Sequence, residues 1–306
     1  MDFTEYMEEL KDASRPIRAA RLPRLSALKD EQRDQLAAAW SSIGVRRRRR
    51  VVNDLVDVAE DNVELDFDAV FVIGLSDDDA SVRLESVRGL WENESPDLVE
   101  PLVLLMTDDP DASVRAEAAL ALGRFVILFE LGRLRESYFK RVEAGLRQAI
   151  ENADEVEEVR ARAIEAMGAN DSAWVRQAVT EAYESGEHRL KVSAVHAMGR
   201  SCEARWLPLL VRELNSDEAE LRYEAALAIG TVGDESAVPN LVPLVEDEDD
   251  QVREAAMAAL GEIGGEMARR ALMDMLDSSS KATRDAAAAA LAEIDFEEDP
   301  LGFKFR

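Results

Sequence analysis

The chain has 306 residues, of which 47% are hydrophobic and 33% are charged, with a net charge of −27, one cysteine and two histidines. The hydrophobic fraction is enough to bury a large core, which excludes a disordered chain. A single cysteine excludes a disulfide framework and a cysteine-based zinc site, and two histidines argue against a multi-histidine metal centre. The dominance of alanine, leucine, glutamate and arginine predicts an all-α protein, and no metal or other cofactor is expected.

Positive charge is concentrated near the N-terminus. Residues 11–50 contain 12 lysines and arginines and four acids, a net charge of +8 in a chain that is otherwise strongly acidic. A basic patch is formed by Arg46, Arg47, Arg48, Arg49 and Arg50. Because five successive residues turn through about 400° of a helix, we expect this run at an exposed edge or just before a helix that begins near Val51. It is interpreted as a solvated run, with an acidic protein partner, a second copy or nucleic acid as alternatives.

A pattern of fixed period follows along most of the chain, as in SVRAEAALALG at 113–123 and QVREAAMAALG at 251–261. Each copy starts with an anchor residue, usually apolar, and has alanine four residues later, with Ser86 as the exception, a large aliphatic residue eight later and often glycine nine later. Successive anchors are separated by 31 or 32 residues, except for one spacing of 45. They are Val82, Val114, Val159, Leu190, Leu221, Val252 and Thr283, with weaker copies at Ile17 and Val51.

Each repeat is predicted to form two helices. Positions 0, 4, 5 and 8 from the anchor lie on one face of a helix with 3.6 residues per turn, so this second helix of the repeat faces a core. An apolar first helix precedes it, and Pro101, Pro208 and Pro239 all lie 13 residues before an anchor, as expected for a first helical turn or a kink. The glycine at position 9 is predicted to cap the second helix in the left-handed conformation. The pattern therefore predicts stacked helical hairpins that share one core.

These motifs resemble HEAT repeats, specifically the short bacterial and archaeal kind called phycobilisome-lyase HEAT-like repeats. The resemblance rests on a core of the form D/E-x-x-V-R-x-x-A-A-x-A-L-G repeated at constant period. It implies an all-α, armadillo-like, right-handed α-solenoid of about eight or nine helical hairpins, with one layer of helices outside and one lining a concave side. We expect a single solenoid domain over residues 1–306, with degenerate basic repeats over 1–60, regular repeats over 61–295, an insertion near 124–150 and a tail over 296–306.

The spacing of 45 residues between Val114 and Val159 marks the insertion. Its stretch FVILF at 125–129 is apolar on more than one face, which predicts a lengthened, buried helix and a loop, with a docking surface as the alternative. The three phenylalanines of the C-terminal tail are predicted to cap the last hydrophobic layer or, alternatively, to dock elsewhere. Since the longest apolar run has five residues and the N-terminus lacks the order of a signal peptide, we expect a cytoplasmic protein with no membrane contact.

Charged residues recur at fixed positions in the repeats. A base follows the anchor directly, and an acid usually stands three residues before it, which places the acid four residues before the base on one helix. Since a stacking device must recur in every repeat and a binding site need not, we interpret these residues as a structural ladder that ties adjacent repeats, with a basic ridge for an anionic ligand as the alternative. The ladder consists of Asp79, Arg83, Asp111, Arg115, Arg160, Glu187, Lys191, Glu218, Arg222, Asp249 and Arg253.

Catalytic chemistry is not indicated by any motif. Cys202 lies six residues after His196, which is no defined nucleophile–base pair, and it is predicted to be a semi-buried structural cysteine. Deoxyhypusine hydroxylase, a HEAT-like di-iron enzyme, uses several His-Glu pairs, whereas this chain has the single dipeptide Glu187-His188. We therefore expect a protein that is not an enzyme, because a shared solenoid does not carry a reaction with it. An enzyme or enzyme subunit of the lyase-like class, acting on a bilin or another protein-attached group, is the alternative.

The predicted function is a scaffold that binds a protein partner through its concave surface. Positions 2, 3 and 6 of the second helices lie opposite the buried face and carry tyrosine, histidine and aliphatic residues among acids. This pattern favours a partner segment with apolar anchors and basic flanks. The net charge of −27 opposes nucleic-acid binding, for which the Arg46–Arg50 run is the remaining contact. The predicted partner-binding residues are Leu84, Glu117, Leu120, Arg162, Val192, His196, Tyr223, Glu224, Leu227 and Glu254.

Overall fold

The computed structural model describes residues 2–298, so the tail residues Phe303 and Phe305 and their predicted capping role lie outside the described residues. Within residues 2–298 the chain is all-α and contains no strand, as predicted. No helix of this range is both long enough and apolar enough to span a membrane. The helices form two compact units, one up to Ala163 and one from Ile164, and each unit is a stack of helical hairpins.

The first unit consists mainly of paired helices in which α4 and α5, and then α6 and α7, form successive hairpins. Short 3-10 helices precede α2 and α6, at Ala19–Leu25 and Pro96–Leu98. The α-helices of this unit are α1 (Phe3–Lys11), α2 (Asp30–Trp40), α3 (Val45–Asp61), α4 (Asp68–Gly74), α5 (Ala80–Gly89), α6 (Val99–Asp108), α7 (Ala112–Glu130), α8 (Glu136–Glu151) and the start of α9 (Glu157–Met167).

The second unit continues with the end of α9 and has the same hairpin arrangement, in which α11, α13, α15 and α17 lie side by side as the second helices. Its 3-10 helices are Ala204–Trp206, Glu235–Ala237 and Val242–Glu246. Its complete α-helices are α10 (Ala173–Glu184), α11 (His188–Arg200), α12 (Leu207–Glu213), α13 (Ala219–Val232), α14 (Val238–Leu241), α15 (Asp250–Ile263), α16 (Gly265–Met275) and α17 (Lys281–Glu298).

The repeat pattern describes the core of both units correctly. The seven anchors, from Val82 to Thr283, are all buried, because each lies on the face of a second helix that packs against its own hairpin partner and its neighbours. Pro208 and Pro239 lie in the first turns of α12 and α14, and Pro101 is the third residue of α6, which confirms the prediction of a first helical turn. A proline is tolerated there because the first turn of a helix has no intrahelical acceptor for its N–H groups.

The repeated glycine at position 9 has a different role from the one predicted. Gly199 and Gly230 lie inside α11 and α13 without positive φ, so they are not left-handed C-caps. A Cβ on Gly199 would lie 2.7 Å from the Cα of Ala228, and one on Gly230 would lie 2.9 Å from the Cα of Ala259. In each case the alanine stands at position 7 of the next second helix, so the glycine allows two neighbouring helices to touch. The left-handed cap is Gly233, three residues later, with φ of 70°.

The insertion contains more helix than predicted. The lengthened helix is α7, in which Phe125, Val126 and Leu128 are buried. The segment expected to be a loop instead forms α8, whose Phe139 ring stacks on the ring of Phe129 with 3.8 Å between ring centroids. Near the C-terminus, Phe296 on α17 is 61% exposed, so the prediction that it caps the last hydrophobic layer is wrong.

Candidate partner-binding groove

A groove with a volume of about 600 Å³ lies in the first unit across α3, α5 and α7. It forms because these three helices are neighbours and present the same face. Apolar and charged side chains line it, and all three helices contribute both kinds. The lining residues are Val56, Ala59 and Glu60 of α3, Val87, Arg88 and Gly89 of α5 with Trp91 just after it, and Glu117, Leu120, Ala121 and Arg124 of α7.

The groove replaces the close helix contact that is found in the second unit. There, the glycine at position 9 of one second helix touches the alanine at position 7 of the next. In the first unit the corresponding pairs are Glu60 with Gly89 and Trp91 with Ala121, and all four of these residues line the groove. Because glutamate and tryptophan are far larger than glycine, the helices cannot touch at these positions, and a concave space is left between them.

Two large apolar residues are exposed in this groove. The side chain of Trp91 is 62% exposed and that of Leu120 is 42% exposed, whereas Val87 between them is buried. Beneath α5, the ring of Phe71 occupies the space that a side chain at Gly89 would need, so the floor of the groove is packed. A large exposed aromatic beside an exposed leucine on a packed floor is typical of a binding surface.

One of the two arginines that line the groove, Arg88, forms ion pairs. Arg88 binds Glu85 of its own helix at 2.8 Å and Glu117 of α7 at 3.1 Å, so it links α5 to α7 and neutralises Glu117. Glu60 of α3 is exposed and has no ion pair or hydrogen bond to any residue of the described range. The α3 side of the groove therefore carries an uncompensated negative charge.

Arg124 is the second arginine, on the α7 side. Its Nη1 donates a hydrogen bond to the backbone carbonyl of Trp91 at 3.1 Å, while its Nε and Nη2 are buried without a hydrogen-bond partner in the described part of the chain. Burial lowers the pKa of this guanidinium to about 10, and the nearby charges of Asp68 and Glu94 oppose that effect. Because two of its nitrogens are buried and the third donates to a backbone carbonyl, Arg124 presents little accessible positive charge to the groove.

The family model of HEAT repeats matches residues 69–137 and 207–292, just over half of the chain. The chain belongs to the HEAT-repeat family. This confirms the resemblance drawn from the repeated motif. The first matched segment runs from the second residue of α4 through α7, and the second contains the complete helices α12 to α16. The helices α9 to α11 lie between the two matched segments. No curated protein sequence matches the chain.

Solved structures of helical-repeat proteins are similar to this one. The complex of CpcE and CpcF of phycocyanin lyase from Nostoc sp. PCC7120 has 16% identity and a TM-score of 0.52, with 92% of this chain and 97% of that chain covered. Human deoxyhypusine hydroxylase has 18% identity and a TM-score of 0.35, with 95% and 98% covered. A designed armadillo repeat protein in complex with the peptide (KR)4 has 19% identity and a TM-score of 0.42, with 66% and 99% covered. At these identities the likeness concerns the fold.

Two of the ten predicted partner-binding residues, Glu117 and Leu120, line the groove. Most of the others are half-buried or exposed on their HEAT helices, where Arg162 pairs with Glu158 at 2.8 Å. The prediction for Val192 is wrong, because this side chain is 2% exposed. Its helix, α11, packs against both α10 and α13, so its buried face is broader than the repeat pattern indicated. The remaining predicted residues are Leu84 in the first unit and His196, Tyr223, Glu224, Leu227 and Glu254 in the second.

Nine of the eleven lining residues were not among the predicted partner-binding residues, and the most informative of them are Trp91, Arg124 and Glu60. The motif search used what the HEAT repeats share, and these residues lie outside the shared positions or depart from them. A signal was present, because Trp91 stands at position 9 from its anchor, where five other repeats have glycine. Glu60 stands at the same position after the weak anchor Val51.

The charged ladder exists, but its pairing differs from the prediction. Arg83 does not bind Asp79 of its own helix; its Nε and Nη2 donate to Asp109, before the next second helix, at 2.6 and 2.8 Å. Its Nη1 donates to the carbonyl of Asp77 at 2.7 Å, which fixes the preceding turn. Asp79 instead accepts a hydrogen bond from the N–H group of Val82 and so caps α5. The two parallel hydrogen bonds from Arg83 to Asp109 form a bidentate pair, which is stronger and more directional than a single charge-assisted hydrogen bond.

The same correction applies to three other ladder bases, whereas Arg253 pairs with Asp250 of its own helix. Arg222 binds Asp247 through two hydrogen bonds of 2.8 Å, and Arg115 binds Glu155 in the same way at 3.2 and 2.8 Å. Lys191 binds Glu213 at 2.8 Å. The acids predicted as their partners lie at helix starts: Asp111 and Asp249 cap α7 and α15 with their side chains, and Glu187 and Glu218 are N-cap residues without a side-chain cap.

The arginine run lies inside α3, which begins at Val45 and not near Val51 as predicted. Arg48 is buried and binds Asp77 through two hydrogen bonds of 2.6 and 2.9 Å. Arg49 and Arg50 pair with Asp79 and Asp54, and Arg47 donates to the carbonyls of Glu9 and Arg15. Four of the five arginines are therefore bound within the protein, which leaves little of the basic patch for nucleic acid.

Candidate catalytic and metal-binding side chains do not converge. Cys202 is exposed, with φ of 51°, so the prediction of a semi-buried cysteine is wrong. His188 lies 2.9 Å from Glu220, and His196 lies 3.3 Å from Glu224. Among residues 2–298, no three histidine, cysteine, aspartate or glutamate side chains form a group that could hold a metal ion.

Proposed function

We propose that this HEAT-repeat protein is a non-enzymatic scaffold that holds a segment of a protein partner in the groove of α3, α5 and α7. The observation that carries the proposal is Trp91. It stands where other repeats have the glycine at which neighbouring helices touch, and its indole is largely exposed. A departure from a structural rule that costs helix packing and exposes an aromatic ring is typical of a functional site.

The shape and lining of the groove support a protein segment as its occupant. A volume of about 600 Å³ is within the range of ligand pockets and accommodates one large apolar side chain with its flanking backbone. Tryptophan and leucine in the centre supply apolar contact area, and the charged residues at the edge supply hydrogen bonds, which is the usual division between the core and rim of an interface.

A non-enzymatic role is supported by the chemistry of the same residues. The lining contains no histidine, cysteine, serine or threonine, and Glu117 is bound to Arg88. An enzyme of the lyase-like class requires groups that handle its substrate, and Glu60, the unpaired carboxylate of the lining, has no histidine, cysteine, serine or threonine of the lining to act with it. The similarity to the phycocyanin lyase complex concerns the fold and does not carry its activity to this chain.

A pair of leucine variants tests the proposal. Leu120 in the groove and Leu104 on α6 are both exposed leucines of the first unit, with 42% and 60% of the side chain exposed. Tagged wild-type protein, L120E and L104E are used to recover partners from a nuclease-treated lysate of the source organism, and circular dichroism verifies the folding of each variant.

We expect one protein to be recovered near stoichiometry with the wild type and with L104E, and to be lost with L120E, because a carboxylate beside Trp91 interrupts the apolar surface. Equal recovery with L120E and L104E would contradict the groove as the binding site. An eluate that carries a chromophore and no protein partner, seen in its absorption spectrum, would contradict the non-enzymatic role.

A further inference from the structure

The charges around the groove lead from the proposed function to the chemistry of the partner. Resting on that function, we infer that the segment in the groove carries an apolar anchor residue with lysine or arginine beside it, and that its basic side lies toward α3. The inference depends on which charges of the groove are already compensated by the protein and which are not.

On the α5 and α7 side, the charges are balanced. Arg88 lies between Glu85 and Glu117 and binds both. The Nε and Nη2 of Arg124 are buried, and its Nη1 donates a hydrogen bond to the carbonyl of Trp91. An acidic side chain of a partner would therefore find no free cation here and would lie close to several carboxylates.

On the α3 side, the charge is negative and uncompensated. Glu60 lines the groove, is exposed and has no partner in the described range. Asp57 and Asp61 lie within one turn of it on the same helix and are exposed as well. Among the arginines of α3, Arg50 lies near enough to Asp57 to interact with it, but it forms its ion pair with Asp54. Arg48 and Arg49 bind acids outside this helix, so Glu60 keeps its negative charge unpaired. A cation of the partner is the complementary charge for this edge.

The apolar part of the groove fixes where the anchor residue lies. Trp91 and Leu120 are the exposed large apolar residues of the lining; Trp91 lies just after α5 and Leu120 lies on α7, whereas Glu60 lies on α3. An anchor that packs between them places the neighbouring residue of the segment toward α3. Acidic flanks would instead bring like charges together, which costs affinity and slows association in a chain of net charge −27.

Three fluorescein-labelled peptides of nine residues provide the test. They share a central Leu-Phe pair and have lysine, serine or glutamate in the flanking positions. Binding is measured by fluorescence anisotropy with wild-type protein, with E60K and with the control E184K. Glu184 matches Glu60 because it is an exposed glutamate at the end of a helix, α10, without a partner in the described range.

The wild type is expected to bind the lysine peptide most tightly and the glutamate peptide most weakly. Each flanking charge that contacts the charged residues of the groove should change the affinity by roughly two- to fivefold. This preference should fall as the salt concentration rises, because exposed charges are screened. E60K should reduce the ratio of lysine to glutamate peptide affinity at least fourfold, while E184K should leave the ratio unchanged.

Equal binding of the three peptides by the wild type, or the same loss of preference with E60K and E184K, would overturn the inference. Absence of binding by any peptide would overturn it too. These failures are distinct from a failure of the proposed function, because that function is judged by the loss of the natural partner with L120E and its retention with L104E.

Discussion

Removing one charge from the ladder tests how the HEAT repeats are held together. Arg83 and Asp109 are buried, with 10% and 3% of their side chains exposed, and they are joined by two hydrogen bonds. The substitution D109N removes the negative charge and keeps an oxygen that can accept the hydrogen bond from the N–H group of Asp111. The local turn is therefore retained, and what is lost is the partner of a buried guanidinium.

The expected loss of stability follows from burial. Breaking a buried ion pair by removing one partner costs about 3–5 kcal/mol, since the remaining charge is left desolvated. One hydrogen bond of Arg83, to the carbonyl of Asp77, persists and reduces the loss, so we expect D109N to lower the free energy of unfolding by about 3 kcal/mol. Removing both charges in R83M/D109N should cost about 1–3 kcal/mol less than the sum of the two single substitutions.

Urea denaturation followed by circular dichroism at pH 7 measures these values. The control is E100Q, which breaks the pair of Glu100 with Arg141, whose side chains are 69% and 61% exposed. An exposed pair contributes at most about 1 kcal/mol, so E100Q should resemble the wild type. If D109N were no more destabilised than E100Q, the ladder would not be a stabilising feature of the stack and the reasoning would be refuted.

The other predictions concern a titration, a glycine and an arginine. The hydrogen bond from Arg222 lowers the pKa of Asp247 in the folded protein. The contribution of Asp247 to stability is therefore complete above the unfolded pKa of about 3.9 and is lost as the pH falls through the folded pKa. In acid titrations, the difference in unfolding free energy between the wild type and D247N should stay constant above about pH 5 and shrink below about pH 4. G199A should lower the melting temperature and cost about 1–3 kcal/mol, because its methyl group meets Ala228, and unchanged melting would contradict the close contact. R124M should lie within about 1 kcal/mol of the wild type in urea denaturation, because it removes a buried charge with two unpaired nitrogens; a loss of 3 kcal/mol would contradict that view.

The fold was accessible from the sequence because burial repeats along it. Val114 and Val252 are both buried at equivalent places in their own hairpins, and the period of about 31 residues reflects this common environment. The prolines at the starts of first helices were predictable because they recur at one position in the repeat, 13 residues before an anchor. The glycine at position 9 was misread because glycine serves both as a cap and as a point of close helix contact, and a single sequence does not distinguish the two uses.

Pairing and the groove were less accessible because they depend on distances between repeats. Arg83 lies 26 residues from Asp109 in sequence, and a local rule favoured Asp79, four residues away. The groove depends on Trp91 and Glu60, which break the pattern that identified the repeats. Aligning the repeats at position 9 exposes both exceptions, but their consequence, a gap in place of helix contact, requires the packing of α3, α5 and α7.

Site-specific photo-crosslinking tests the central claim most directly. Benzoylphenylalanine is placed at position 120 in the groove and, in a second variant, at position 104 on α6, and both are irradiated in cells of the source organism. The proposed function predicts a crosslink from position 120 to one short segment of one protein, identified by mass spectrometry, and none to that segment from position 104. No crosslink at position 120, or the same products from both positions, would contradict binding in the groove.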